Sequence, residues 1–410
     1  MQLKHLVPAF LALYGAQAAP SSSPAEQLNA FAERDTAAAS ANSIYIPAST
    51  LQTDILAAKA LVNLAIYQVT NPPKGSCNIL NAAVRREWST LSKQERLAYI
   101  NAELCLMSKP SKDPSFAAGA KTRYDDFVAV HINQTLTIHG TANFLSWHRY
   151  FTWSFEQALR NECGYTGYQP YWNWGKYAFD PLNSPLFDGS DYSMSGNGAY
   201  APHGCTEAIT SDLNCIPPGS GGGCVTTGPF KNYVVNLGPV SPTLDVPGII
   251  NYSNPNPLAY NPRCLRRDIS SWVSSNWTKD SDVYDLVTGY TDILSFQNRM
   301  QGDFPTGFYG VHTAGHFTTG GDPGGDLFAS PGEPTFFLHH AQIDRTWWIW
   351  QNQDLKNRQN ALAGGTSLLD PTGSPAGKLT DPIYLGSLAS TVEIQDVMST
   401  TGGPLCYIYV

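Results

Sequence analysis

His139-Gly-Thr-Ala-Asn-Phe-Leu-Ser-Trp-His148-Arg-Tyr-Phe-Thr-Trp-Ser-Phe-Glu156 carries two histidines separated by eight residues. The second opens a helical pattern, because Phe151, Phe155 and Leu159 follow it at +3, +7 and +11. His148 therefore stands on the apolar stripe of a predicted helix, where an imidazole is unusual unless the interior needs it. The same pattern recurs on either side. Tyr124, Phe127, Val128 and His131 sit at i, i+3, i+4 and i+7 of a helix predicted over 122–133. His312 and His316 share one face of a short helix over 307–318. Phe336, Phe337, His340, Ile343 and Trp347 form a further stripe, with His339 beside it.

Six inward imidazoles call for a metal, and neutral imidazole suits zinc, copper, iron and nickel. A zinc hydrolase of the H-E-x-x-H type needs a glutamate after its first histidine, and Thr313 occupies that place. A non-haem iron site pairs two histidines with a carboxylate. Three histidines per ion, twice over, with no evident carboxylate ligand, point to two copper ions.

The remaining sequence is consistent with a mainly α chain, a four-helix bundle around the histidines with extensive loops and a few short strands. Leu51–Thr70 reads as a helix ended by Asn71-Pro72-Pro73. Ser92-Lys-Gln-Glu95 is a capping box that starts another, Trp147–Arg160 a third, and 282–298 a single long one. Pro334 fits the first turn of the helix that carries His340. Residues 180–265 are rich in Gly, Pro and Asn and contain four of the eight cysteines, so loops stapled by disulfides are expected there. Short strands are expected near 391–397 and 405–410.

The chain has 410 residues, a net charge of -8 and no long run of one sign. A nucleic-acid binder would carry a basic patch. No segment reaches the ~20 uninterrupted apolar residues of a membrane span. Residues 1–18 read as a secretory signal with the cleavage site Ala16-Gln17-Ala18, and residues 19–42 as a flexible arm. The protein is therefore expected to be secreted, its cysteines paired. Asn133, Asn251 and Asn276 open N-glycosylation tripeptides. His203, inside the cysteine-rich stretch, reads as an ordinary loop residue.

His139-x4-Phe144-Leu-Ser-Trp-His148-Arg-x2-Thr152-x3-Glu156 matches the first copper signature of the tyrosinase / polyphenol oxidase family. Pro334-x-Phe336-Phe-Leu-His-His340-x3-Asp344 resembles the second, with Glu333 where the family has Asp. The resemblance spans about 85–409. It implies one copper on His131, His139 and His148, and a second on His312, His316 and His340. His339 would stand beside the metal and Phe336 between the two. Asp344 and Arg345 would be structural, orienting ring N–H groups, and Arg149 and Glu156 would form a buried ion pair or cap. The family's Tyr-x-Tyr appears as Tyr407-Ile-Tyr409, after which a shielding domain of longer members would be missing, so residues 43–410 would be one catalytic domain. Thr137 stands where some fungal members have a cysteine bonded to a histidine.

By this resemblance the enzyme would use O2 to oxidise o-diphenols to o-quinones. Members that also hydroxylate monophenols hold a water with a glutamate and an asparagine. Gln297 and Thr313 correspond here, and Gln cannot act as a carboxylate base, which favours catechol oxidase over tyrosinase. Phe317 would gate the second copper. o-Aminophenol oxidase, a haemocyanin-like O2 carrier and a zinc hydrolase are the competing readings. Small phenols are the expected partners, with a monomer or weak oligomer as the default.

Overall fold

Apolar periodicity marks the helices, and side-chain caps fix the starts of several of them. The computed structural model describes residues 45–410 apart from 74, 208–214, 245, 247–255 and 371. The predicted signal, the predicted arm and Asn251 lie outside the described residues. α1 (Leu51–Thr70) has the predicted bounds. The Asp280 carboxylate accepts the N–H groups of Gln52 and Thr53 in its first turn, where the helix dipole favours an anion. α2 (Lys93–Ser108) starts at the Ser92/Glu95 capping box. α3 (Arg123–Ile138) starts at a second box, Thr122 with Asp125, and runs five residues beyond the predicted end. α4 (Phe144–Cys163) is longer than predicted at both ends and closes on Gly164, whose φ of 68° suits a residue without Cβ.

The predicted helix over 282–298 is a correction. It is two helices, α6 (Asp280–Gly289) and α7 (Ile293–Gln301), preceded by an unpredicted α5 (Ser271–Trp277). The Asp292 carboxylate accepts the Ser295 N–H and starts α7 afresh, so a local cap overrides the continuous apolar period. α8 (Gly310–Thr319) carries His312 and His316. Pro334 precedes α9 (Phe336–Gln353) instead of lying in its first turn. Every residue from Phe336 to Asn352 is buried, which makes α9 the axis of the fold. It packs against α1, α4, α6 and α8, and the four-residue α10 (Leu355–Arg358) follows it.

Strands are two to four residues long among the described residues. β1 (Ala83–Arg85) pairs in parallel with β10 (Tyr407–Tyr409), Ala83 opposite Tyr407. The insertion holds three small antiparallel pairs: β2 (Gly198–Tyr200) with β5 (Gly222–Val225), β3 (Thr206–Glu207) with β4 (Cys215–Ile216), and β6 (Val234–Val235) with β7 (Arg263–Cys264). β8 (Pro382–Ile383) and β9 (Val392–Glu393) pair in the tail. All eight cysteines are paired. Cys205–Cys215 and Cys224–Cys264 staple the insertion, Cys105–Cys163 ties α2 to α4, and Cys77–Cys406 joins the two ends of the β1–β10 region.

Beneath the helices lies a buried polar network. The Asp344 carboxylate accepts from Arg149 Nε at 2.6 Å and from the hydroxyls of Tyr407 and Tyr409 at 2.6 and 2.7 Å. Arg85 pairs with Glu156 at 2.9 Å and lies 3.6 Å from the Tyr407 ring centre. Arg149 and Glu156 are thus buried ion-pair members, though not with each other. Arg345 pairs with Asp54 on α1. Neither Asp344 nor Arg345 has a hydrogen bond to a histidine ring, a correction to the orienting role expected of them. Glu333 binds Arg267 through both oxygens, at 2.5 and 3.0 Å, and so fastens the insertion to the start of α9.

Candidate metal centre

Two groups of histidines face one another inside the helices. His131 on α3, His139 at the end of α3 and His148 on α4 bring one ring nitrogen each within 4.8 Å of the others. His312 and His316 on α8 do the same with His339 and His340 on α9. The groups share a boundary. The His148 and His340 rings stack at 4.5 Å, and His139 lies 5.9 Å from His312.

The first group is oriented by backbone. Nδ1 of His131 donates to Phe328 O at 2.7 Å, that of His139 to Thr135 O at 3.0 Å, and that of His148 to Phe144 O at 2.7 Å. Each bond leaves Nε2 as the free nitrogen. Nε2 of His131 and of His148 are buried without a hydrogen-bond partner, as are both nitrogens of His312 and of His339 and Nδ1 of His340. His340 Nε2 meets His316 Nε2 at 3.3 Å. Buried polar atoms without partners are costly and rare. Those here fall on five of the seven clustered rings, each of which can turn one nitrogen toward a metal.

The electrostatics agree. Burial, reinforced by neighbouring imidazoles, holds His131, His148, His312, His316 and His340 well below the usual histidine range. Burial takes His139 down to about 4 and His339 to about 3. All seven are neutral at pH 7, the form that ligates. Among the described residues no carboxylate or cysteine joins either group. An all-imidazole set in two clusters fits a binuclear copper site.

The sequence places His339 beside the metal, and the structure puts it in the same nitrogen cluster as the other three. Its ring packs toward Trp174 at 5.3 Å and Trp172 at 6.4 Å. The Gly315 backbone leaves it room, because a Cβ there would lie 2.1 Å from His339 Cε1. Phe336 lies 5.5 Å from His131 and 4.1 Å from His340. Phe144 lies 5.1 Å from His148 and 4.8 Å from His312. Sequence reasoning used Phe144 only as a signature position. Its place one turn before His148 was the available signal.

Three further predicted residues are held by other parts of the chain. The Gln297 amide donates to Ala363 O at 2.8 Å, and the Thr313 hydroxyl donates to Gln301 O at 2.7 Å. Each is held by a different backbone carbonyl. Phe317 packs 5.6 Å from Tyr309, in an aromatic cluster with Trp277 and Phe304. His203 is not an ordinary loop residue. Its side chain is 2 % exposed and Nε2 lies 3.1 Å from Asp268, a partner too distant in sequence to be read from spacing. Thr137 donates to Gln134 O.

A sequence profile of the common central domain of tyrosinase matches residues 121–353. The tyrosinase-like protein orsC of Emericella nidulans is 44% identical over 75% of this chain and 86% of its own length. Tyrosinase P of Aspergillus terreus is 40% identical over 80% and 91%. N-acetyl-6-hydroxytryptophan oxidase of Emericella nidulans is 38% identical over 88% and 99%. A solved polyphenol oxidase variant from Thermothelomyces thermophila superposes with a TM-score of 0.80 at 43% identity, covering 88% of this chain and 98% of that one.

Proposed function

The chain belongs to the tyrosinase family of oxidases, and from that premise we propose that it is a secreted catechol oxidase. It oxidises o-diphenols to o-quinones with O2. One copper is held by His131, His139 and His148, and the other by His312, His316 and His340. The observation that carries this reading is the pair of buried imidazole groups with partnerless nitrogens, in contact through His148 and His340. When bound, the two coppers supply the exchange of electrons between the diphenol and O2.

The chain's own residues do the rest. Backbone carbonyls of Phe328, Thr135 and Phe144 fix the ring tautomers. Phe144 and Phe336 wall the space with rings and keep it apolar. His340 is favoured over His339 as a ligand because its ring faces the first group across His148, whereas His339 lies toward Trp172 and Trp174. His340→Ala should then cut copper from two ions per chain to one. His339→Ala should retain two.

Preference for diphenols rests on the proton. A monophenol must lose one to bind as phenolate, and a positioned base contributes about 10²–10⁴-fold. Gln297 cannot supply a base, and its amide and the Thr313 hydroxyl are both committed to backbone carbonyls. Oxygen uptake on tyramine should be at least about 10²-fold slower than on catechol. Comparable rates without a lag would instead assign tyrosinase activity. o-Aminophenols are tested in the same assay, and reversible oxygenation without quinone would assign a carrier.

Export is supported by four disulfides. No described helix is long and apolar enough to cross a membrane. Residues 43–410 act as one catalytic domain, with the profile match at its centre. Asn133 and Asn276 are exposed acceptors for glycans.

A further inference from the structure

α1 is apolar on both sides. Thr53, Leu56, Ala57, Ala60 and Leu64 are buried, and the helix packs there against α9 and α6. The opposite side bears Leu51 (63% exposed), Ile55 (58%), Val62 (58%), Ile66 (64%) and Val69 (82%), with the exposed Ala58 among them. These residues follow one another at three- to four-residue spacing and so form one continuous stripe. Leu80, 93% exposed, stands in the 76–81 loop that meets the end of α1, where Ile79 N–H donates to Gln68. Polar Gln52, Asp54, Lys59 and Asn63 flank the two apolar faces, and an apolar helical face ordinarily packs against something.

We propose that this stripe is the interface of a homodimer, in which α1 of one copy packs antiparallel on α1 of a second. Three observations select a second copy. The first is self-complementarity. A two-fold axis near residue 60 sets Leu51 against the second copy's Val69, Ile55 against its Ile66, and Ala58 against its Val62. Every stripe residue meets another, as an isologous contact requires, and the smallest, Ala58, lies next to the axis where two helices must approach closely. The second is area. The five exposed aliphatic residues present on the order of 500 Å², toward the upper end of the roughly 300–600 Å² of a typical monomer's largest patch, which is often functional. With the exposed Ala58 and Leu80 the stripe approaches the ~800 Å² per partner of a stable interface. The third is charge. Lys59 is the one basic residue of α1, and the chain carries -8, so the stripe lacks the cationic border that holds an amphipathic helix on an anionic membrane.

Sedimentation velocity of the full-length secreted protein, from nanomolar to tens of micromolar, should show a monomer of about one chain mass passing to twice that mass. The transition should persist in high salt, because the contact is apolar. Val62→Glu places a charge beside the axis twice per dimer. It should weaken association at least about 100-fold while leaving the circular dichroism spectrum unchanged, and the melting temperature unchanged at nanomolar concentration where both proteins are monomers, since residue 62 is exposed. The double variant Ile55→Cys/Ile66→Cys should cross-link between chains on oxidation, and neither single variant should. Its two positions lie ~16 Å apart on one helix, too far to bridge within a chain. A wild type that stays monomeric overturns the proposal, whether because residues 19–44 cover the stripe or because it faces solvent. So does a dimer indifferent to Val62→Glu, or a stripe that binds anionic vesicles in preference to itself.

Discussion

Gly315→Ala tests the link between packing and metal binding at one atom. Gly315 lies in α8 between His312 and His316, and its missing Cβ would fall 2.1 Å from His339 Cε1 and 2.4 Å from Nδ1. His339 is 2% exposed, with Trp174, Trp172, His312 and His316 around it. Two effects oppose. Ala in a helix interior is favoured over Gly by about 1 kcal/mol. Overpacking a filled core costs about 1–3 kcal/mol, and a 2.1 Å contact belongs at the upper end. The net expectation is a loss of about 1–2 kcal/mol. Gly289→Ala is the control, because nothing lies within 4 Å of its Cβ and only the propensity gain should remain. Calorimetry on the metal-free proteins measures packing alone, and should lower the melting temperature of Gly315→Ala but not of Gly289→Ala. Copper analysis measures the consequence, since His339 packs against its neighbours His316 and His340. Copper should fall toward one ion per chain in Gly315→Ala. A variant as stable as wild type with two coppers would falsify the argument that Gly315 exists to admit the ring.

Asp344→Asn leaves Arg149 and Arg85 with an uncharged partner in a buried network, and removing one member of such a pair costs about 3–5 kcal/mol. Thermal unfolding should register the loss while the copper content of the folded fraction stays unchanged, because Asp344 has no hydrogen bond to a histidine. Acid should destabilise the metal-free protein. The folded histidines have lowered pKa values, so their contribution is fully present above the unfolded pKa near 6.5 and is lost as pH falls through the folded value. For His139, at about 4, the loss is about 3 kcal/mol. Denaturant midpoints that hold steady from pH 7 to pH 4 would contradict the burial of neutral imidazoles. Phe144→Ala removes the ring between His148 and His312 and should cost about 3–5 kcal/mol, with quinone formation falling further than copper content in a parallel assay.

The histidines were legible because a buried imidazole on a helical stripe is anomalous in one dimension as well as in three. α1 was legible to the residue, since its period and its Pro-Pro stop agree. What escaped depends on partners distant in sequence. Nothing near His203 announces Asp268, and nothing near Arg149 or Glu156 reveals that each pairs elsewhere, with Asp344 and Arg85. The break between α6 and α7 escaped for a local reason, because the apolar period runs through Asp292 while its side chain caps a new start. Gln297 and Thr313 were matched through a resemblance, which fixes a position in the chain and not the carbonyl each side chain finds.

The bond between Cys77 and Cys406 closes 329 residues into a loop, beside the parallel β1–β10 pair. In mechanical terms the described residues form a sealed ring with α1 as an external strut. A load applied ahead of residue 77 and behind residue 406 peels α1 from α9 and then meets the covalent bond, which keeps the load from the rest of the ring. A proteolytic nick within the ring leaves both fragments tethered. Under a reductant the path changes. Force then passes through β1 and β10 in shear, across the Tyr407 and Tyr409 hydroxyls that hold Asp344, and the ring would release up to about 1,100 Å of chain. The long-range bond thus acts as a mechanical fuse set by the redox state of the surroundings, and it separates the metal centre from tension for as long as those surroundings are oxidising.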